Sequence, residues 1–147
     1  MENESRDNKL IIINEMSLED SQAMSANLRI FNIEQSKGLS TKPEISFNLT
    51  LKSETGEVAG GIRSRAFYQS LTIDFLWIDE KFRRMGYGKE LMLKVEELAK
   101  EQGCISANTR TYSFQAPQFY EKLGYNTVGV FKEYPDGIKK FFLEKKL

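Results

Sequence analysis

Residues 70–89 read SLTIDFLWIDEKFRRMGYGK and join an apolar segment to a basic loop with two glycines. The apolar segment Ser70–Ile78 lacks the strict alternation of a half-exposed strand, which predicts an interior strand covered on both faces. The loop carries Gly86 and Gly88 in front of a predicted helix, where unpaired N–H groups and the positive end of the helix dipole attract anions. This stretch therefore predicts the centre of a sheet and an anion site at its end.

The basic side chains around the glycines favour a phosphate ligand without establishing one. Arg83, Arg84 and Lys89 supply local positive charge, and glycine lets the backbone approach a phosphate closely. A tight turn with exposed basic residues explains the two glycines equally well. A third glycine, as in the Rossmann pattern, and a Gly-Lys-Ser/Thr sequence, as in the P-loop, are both absent. The loop alone leaves both interpretations open.

The segment after the loop has the periodicity of an amphipathic helix. Gly103 supplies its C-terminal stop, and residues 104–109 predict the following strand. A strand, a helix and a strand in this order predict a right-handed parallel crossover. The apolar stripe of the helix consists of Leu91, Met92, Val95, Leu98 and Ala99.

The amino-terminal third predicts a strand, a helical region and a hairpin. A β-branched run predicts a strand over residues 10–14, and Ser17 with Asp20 resembles a capping box at the start of one or two helices. Alternating polar and apolar residues predict a strand over Ile45–Lys52, which a turn joins to a second strand over residues 58–65.

The carboxy-terminal part predicts a short helix and a last hairpin. Pro117 suits the first turn of this helix and Gly124 its end. Two strands are predicted near residues 127–133 and 138–144. We expect residues 1–8 to be a disordered start and residues 9–147 to form a single domain.

Composition excludes several kinds of chemistry. The 147 residues contain 21 Lys and Arg, 21 Asp and Glu, no histidine and one cysteine, Cys104. Balanced charge gives no sign of a nucleic-acid or membrane partner. Without histidine, Ser-His-Asp, Cys-His and His-zinc sites cannot form within the chain, and we expect no metal. The lone thiol and the polar start of the chain predict a cytoplasmic protein.

Two motifs resemble those of the GNAT superfamily of N-acetyltransferases. Arg83, Gly86 and Gly88 match its pyrophosphate signature, Arg/Gln-x-x-Gly-x-Gly/Ala. Residues 113–125, SFQAPQFYEKLGY, are similar to its second signature, with Ser113 in place of asparagine and Tyr125 in place of phenylalanine. The resemblance implies an α+β fold with a mixed, mostly antiparallel sheet of six or seven strands, the parallel crossover and helices on both faces.

The resemblance also implies acetyl-CoA as co-substrate and a primary amine as acceptor, attacked directly on the thioester. Tyr120 is then placed beside the cofactor sulfur, where it protonates the departing thiolate, a transfer that runs downhill only if the pKa of the phenol is lowered. On spacing alone, a core role is the favoured interpretation of Tyr120, and the resemblance reverses this preference. The residues expected to bind the cofactor are Leu76, Trp77, Ile78, Arg83, Arg84, Met85, Gly86, Tyr87, Gly88, Lys89, Ser113 and Tyr120.

Asp74 is the candidate general base, because it interrupts an apolar strand on a face shared with Thr72, Leu76 and Ile78. A structural aspartate that accepts hydrogen bonds is the competing interpretation, and Ser113 has a similar alternative as a helix cap.

The acceptor stays open between small-molecule and peptide amines, as does the choice between monomer and homodimer. Two alternatives to catalysis remain: a noncatalytic module of the same fold that binds acyl-CoA or a partner, and a site for another phosphate.

Overall fold

The computed structural model describes residues 10–147, which divide into two compact units at Ser40. The first unit contains one helix, α1, over Leu18–Gln35. The Ser17 hydroxyl accepts a hydrogen bond from the N–H of Asp20 at 3.0 Å, and the Asp20 carboxylate accepts one from the N–H of Ser17 at 3.2 Å. The predicted capping box is therefore confirmed, and the helical region is a single helix.

The predicted strand over residues 10–14 is wrong. This segment is irregular and exposed, with Leu10 at 92% and Ile11 at 75% exposure. Within residues 10–147, no strand pairing includes it. β-branched side chains favour a strand only where a neighbouring strand supplies hydrogen bonds and a packing surface.

The second unit, residues 41–147, contains a six-stranded sheet in the order β1-β2-β3-β4-β6-β5. Only β3 and β4 pair in parallel, and all other neighbours are antiparallel. This confirms the α+β class and the parallel crossover. The strands are β1 (Ile45–Lys52), β2 (Val58–Phe67), β3 (Ser70–Ile78), β4 (Ser106–Tyr112), β5 (Asn126–Phe131) and β6 (Lys140–Lys146); the helices are α2 (Tyr87–Glu101) and α3 (Pro117–Lys122).

The crossover helix α2 covers one face of the sheet, which we call the core face. Its apolar stripe packs on β1, β2 and β3; a helix on the opposite face stays a prediction. β4 begins two residues later than predicted, because the N–H of Cys104 still closes the end of α2 on the carbonyl of Ala99 at 3.0 Å. The buried residues of this core include Leu91, Met92, Val95, Ala99, Ile62, Leu71, Ile73, Ala107 and Leu143.

A β-bulge at Asp74 explains why β3 lacks alternation. Its pairing with β2 runs Arg63 to Phe75 and then Ser64 to Ile73, so Asp74 has no partner of its own. One extra residue reverses which parity faces the core. Before the bulge, Leu71 and Ile73 are buried. After it, the core-facing residues are Leu76 and Ile78.

The prediction that β3 is covered on both faces is therefore wrong for its second half. Phe75 and Trp77 lie on the opposite face, the outer face, and are 50% and 46% exposed. Asp74 is also not on a face shared with Leu76 and Ile78, because the bulge lies between them.

Within residues 10–147, no helix combines the length and apolar character needed to cross a membrane.

Candidate active site

A gap opens in the sheet where β3 and β4 part. Their parallel pairing ends at Ile73 and Thr109, although β3 continues to Ile78 and β4 to Tyr112. Beyond that point, the β4-facing main chain of β3 is left without a strand partner. Continued parallel pairing would have satisfied the N–H and C=O groups on this side of β3. Because the two strands separate, these groups form a polar edge inside the sheet.

The glycine loop lies at the same end of β3 as the gap. Gly86 precedes α2 with φ of 91°, and its carbonyl accepts the N–H of Glu90 at 3.0 Å. A helix start leaves its first N–H groups without intrahelical acceptors, and here no side chain caps them. The N–H groups of Tyr87, Gly88 and Lys89 are therefore available to an anion.

Arg83, the arginine of the pyrophosphate signature, contacts the end of β3. Its Nε donates to the carbonyl oxygen of Ile78 at 2.9 Å, which ties the loop to the end of β3. Arg84 has φ of 63° and Met85 is 63% exposed. The arginine of the signature thus connects the glycine loop to β3, and its contact with the cofactor stays a prediction.

Gly88 brings the two sequence signatures together. A β-carbon at this position would lie 3.3 Å from Cζ of Phe119 and 3.8 Å from Cδ2 of Leu76. The first turn of α2 therefore packs closely on both α3 and β3. Because the contact tolerates little extra volume, the spacing between the pyrophosphate loop and the Phe119-Tyr120 pair is fixed.

Tyr120 lies in the core at the point where the strands part. It is 7% exposed, and its ring meets Phe119 and Tyr125 edge to face at 5.1 and 6.0 Å between centroids. Burial raises the pKa of the Tyr120 phenol, and a hydrogen bond with the hydroxyl of Thr109 opposes this in part. Thr109 Oγ1 in turn donates to the carbonyl of Ile73 at 3.3 Å.

The condition for a downhill proton transfer from Tyr120 is not met in the protein alone. The pKa of this phenol is raised, not lowered, because desolvation disfavours the phenolate. Tyr120 therefore remains protonated at neutral pH, as a proton donor must. The core interpretation of Tyr120 also holds, since its ring belongs to the hydrophobic core.

Asp74 is held by an ion pair on the outer face. Its Oδ1 accepts from Nε of Arg65 at 3.3 Å, and Nη1 of Arg65 reaches Glu44 at 3.0 Å. These partners raise the pKa of Arg65, with the Glu44 hydrogen bond contributing most. The arrangement supports the structural interpretation of Asp74, and its role as a base stays a prediction.

Ser113 does not cap α3, whose N-cap is Ala116 without a side-chain hydrogen bond. Its hydroxyl accepts from the N–H of Lys139 at 3.1 Å, and its own N–H donates to the carbonyl of Lys139 at 2.8 Å. Ser113 therefore ties the loop after β4 to the start of β6. Cofactor contact by this residue stays a prediction.

Sequence reasoning missed a buried polar network behind Tyr120. The hydroxyl of Tyr125 donates to Oε1 of Glu96 at 2.9 Å, and Nζ of Lys145 reaches Oε2 at 2.7 Å. Burial, followed by the charge of Glu96, raises the pKa of Tyr125. Two features of the sequence could have indicated this network. Glu96 falls among the apolar residues of α2, and Tyr125 adds a hydroxyl where the signature has phenylalanine. Buried polar groups of this kind need partners.

Comparison with known proteins identifies the family. Residues 14–125 match the model of the acetyltransferase (GNAT) family. The chain belongs to the GNAT family. It is therefore an acyltransferase by family. Within residues 10–147, no group of three or more His, Cys, Asp or Glu side chains is placed to hold a metal ion.

Three similar proteins illustrate the relationship. The blasticidin-S acetyltransferase of Streptomyces morookaense is 40% identical over 95 residues, which cover 64% of this chain and 70% of that protein. A crystal structure of an acetyltransferase from Bacillus cereus superposes with a TM-score of 0.83 and 33% identity, over 93% of this chain and 98% of the other. A Bacillus anthracis acetyltransferase, solved in complex with acetyl coenzyme A, shares the fold with a TM-score of 0.62 and 19% identity, over 76% of this chain and 67% of the other.

Proposed function

We propose that this GNAT protein transfers the acetyl group of acetyl-CoA to a primary amine of a small molecule by direct attack. The observation that carries the proposal is the position of Tyr120, which contacts Thr109 at the point where β3 and β4 part. The uncapped start of α2 lies at the same end of the sheet. An anion site, an unpaired strand edge and a buried phenol are the parts that this reaction needs.

The residues fit the expected co-substrate. The open first turn of α2, with Gly86 in the left-handed region, suits a pyrophosphate. We assign pyrophosphate binding to Arg84, Met85, Gly86, Tyr87, Gly88 and Lys89. The main chain of Leu76, Trp77 and Ile78 has no strand partner on the β4 side and suits an amide-containing arm that adds as a strand, although the Ile78 carbonyl already accepts from Arg83. Acetyl-CoA supplies a thioester whose acyl carbon accepts the amine.

The overall reaction forms a carbon–nitrogen bond and breaks the carbon–sulfur bond. The amine loses one proton, and the departing sulfur gains one. Tyr120 holds a proton on a buried oxygen and is our candidate donor. Because its pKa is raised, donation costs free energy unless the bound co-substrate lowers that pKa. Backbone N–H groups at the gap are the candidates for stabilising the oxyanion.

Two groups are candidates for the general base that takes the proton from the amine. Asp74 lies at the bulge beside the gap, but its carboxylate is already paired with Arg65. A water molecule that takes the proton from the amine is therefore the alternative to Asp74. A cytoplasmic, single-domain protein that is a monomer or a homodimer stays our prediction.

The acceptor proposal draws on the relative that is named for blasticidin S. Its name supports a small-molecule acceptor over a protein, and blasticidin S is the first amine to test. Release of free thiol from acetyl-CoA, together with mass spectrometry of the acceptor, measures the reaction. The lone cysteine, Cys104, is buried and contributes little background.

The decisive variant is Tyr120→Phe, which removes the hydroxyl and keeps the ring. We expect kcat to fall on the order of a hundredfold, in the range of lost acid–base catalysis, with the Kd of acetyl-CoA nearly unchanged. Tyr68→Phe removes an exposed hydroxyl at the β2–β3 turn and is the matched control. Unchanged turnover in Tyr120→Phe removes this residue from the mechanism.

A noncatalytic module is the second candidate, since the fold alone does not establish chemistry. It predicts that calorimetry detects acetyl-CoA binding while no amine releases CoA. Tighter binding of ATP than of CoA favours the third interpretation, a general phosphate site.

A further inference from the structure

Five aromatic side chains cluster beside the gap, where β4 and β5 end and β6 begins, and we call them the aromatic patch. Tyr112 and Phe114 stack with 5.4 Å between centroids and 5° between planes. Tyr134 meets Tyr112 edge-on at 5.7 Å and lies 5.5 Å from Phe131. Phe142 completes the patch on β6. Phe114 and Phe131 remain 68% and 52% exposed, so their rings are available to a ligand.

Two cations accompany the patch. The ammonium of Lys140 lies 5.2 Å from the ring centroid of Tyr112 and 5.9 Å from that of Phe142. Arg110 pairs with Phe142 across β4 and β6 and is exposed on the same face. Among the described residues, neither Lys140 nor Arg110 forms an ion pair. The patch therefore combines open ring surface with positive charge that lacks a carboxylate.

The patch is continuous with the proposed reaction site. Tyr112 is three residues beyond Thr109 on β4, about 10 Å along the strand. Thr109 faces the core and Tyr112 the outer face, since side chains alternate along a strand. A molecule on the patch thus reaches the gap from the side opposite Tyr120.

We propose that the aromatic patch binds the acceptor, and that the acceptor is an amine that carries both a planar ring and a carboxylate. The ring of the acceptor stacks on the exposed ring of Phe114, and its carboxylate pairs with Lys140. Rings stack in an offset or edge-to-face manner with each other, and an ammonium beside them attracts an anion. This inference rests on the proposed acetyl transfer, because it names the substrate class of that site.

Four amines test the two features separately. The compound para-(aminomethyl)benzoate has a ring and a carboxylate, benzylamine has only the ring, ε-aminocaproate has only the carboxylate, and hexylamine has neither. NMR titration with the full chain saturated with CoA gives Kd values for each amine, whether or not turnover follows. Release of CoA from acetyl-CoA gives kcat/KM, corrected to the neutral amine at each pH.

We expect para-(aminomethyl)benzoate to bind most tightly, with amide shifts at Tyr112, Phe114 and Lys140. Losing the ring should weaken binding about fivefold to tenfold, and losing the carboxylate about threefold to tenfold. Equal Kd values for the four amines, or no saturable binding of para-(aminomethyl)benzoate, overturn the inference.

Two variants and their controls assign each preference to its residue. Lys140→Met should abolish the preference for the carboxylate and retain that for the ring. Lys146→Met is the control, on the same strand and face about 20 Å away. Phe114→Leu should abolish only the ring preference, with Tyr68→Leu at the β2–β3 turn as the control. Unchanged preferences in Lys140→Met and Phe114→Leu contradict the assignment.

Failure of the two proposals can be told apart. Suppose that the four amines show the expected order of Kd values but that no amine, blasticidin S included, releases CoA. This result contradicts acetyl transfer and supports a binding role for the patch. Release of CoA with all four amines at similar kcat/KM supports acetyl transfer and contradicts the patch inference.

Discussion

The two halves of β3 are both apolar, yet the protein uses them differently. The first half, which ends at Ile73, pairs with β2 on one side and β4 on the other, and its core-facing side chains are 0 and 1% exposed. The second half pairs only with β2 and exposes Phe75 and Trp77. The bulged residue Asp74 separates the halves. Apolar composition therefore marks a core segment in one case and a half-exposed strand edge, our candidate cofactor site, in the other.

The largest expected difference between the halves is in stability. Ile73→Ala creates a cavity in the closed half and should lower the free energy of unfolding by about 2 to 5 kcal/mol. Phe75→Ala removes a larger ring from the open half, where Arg63 lies over it at 5.6 Å, and should cost about 1 kcal/mol. Urea unfolding measures both. An equal loss in the two variants would remove the distinction.

The glycine at the open end should affect both stability and ligand binding. Gly86→Ala places a β-carbon at φ of 91° and should destabilise by about 1 to 2 kcal/mol. Gly103→Ala is the matched control at the other end of α2, with φ of 84° and similar open space. We expect similar losses in melting experiments, but only Gly86→Ala should weaken acetyl-CoA binding, measured by calorimetry. Equal affinities in the two variants argue against the anion site.

Alkaline pH should test the buried phenol at the boundary of the two halves. Because the folded pKa of Tyr120 is raised, the unfolded chain loses this proton first as the pH rises past about 10. The contribution of Tyr120 to stability is thus fully present below that pH and declines above it. The free energy of unfolding of the wild type should fall more steeply there than that of Tyr120→Phe. Parallel curves would show that the folded phenol titrates normally.

The smallest effect is expected at the bulge. Asp74→Asn breaks an exposed ion pair and should cost about 0.2 to 1 kcal/mol. Glu44→Gln removes the other partner of Arg65 and is the control. If Asp74 is structural, the pH profile of kcat is the same in both variants. Loss of the acidic limb in Asp74→Asn alone would instead identify Asp74 as the base.

Much of the fold could be predicted because local patterns agreed with the tertiary structure. The bounds of β1 and β3 could be predicted from composition and turn residues. The place of the glycine loop, directly before α2, could be predicted from the helical periodicity that follows it. The strand over residues 10–14 failed because β propensity does not reveal whether a partner strand exists. The bulge at Asp74 was not predicted, because a single unpaired residue can be recognised only from the register between β3 and β2.

The motif residues of the candidate site are visible in the sequence, whereas the residues that surround them in the fold are not. Tyr120 and Gly88 lie in signatures, whereas their contacts with Thr109 and Phe119 arise from chain crossings far apart in sequence. Glu96 illustrates the limit. Its position among apolar residues signals burial, but the partners Tyr125 and Lys145 come from the end of the chain. Rings of the aromatic patch likewise come from three segments.

Trp77 is the chain's one tryptophan, and it lies on the outer face in the open half of β3. Its indole fluorescence therefore arises from a single position, half exposed beside the gap where both substrates are proposed to meet. An emission shift on adding either substrate would report occupancy of that region without any label. The protein thus carries its own optical probe for the order in which its ligands bind.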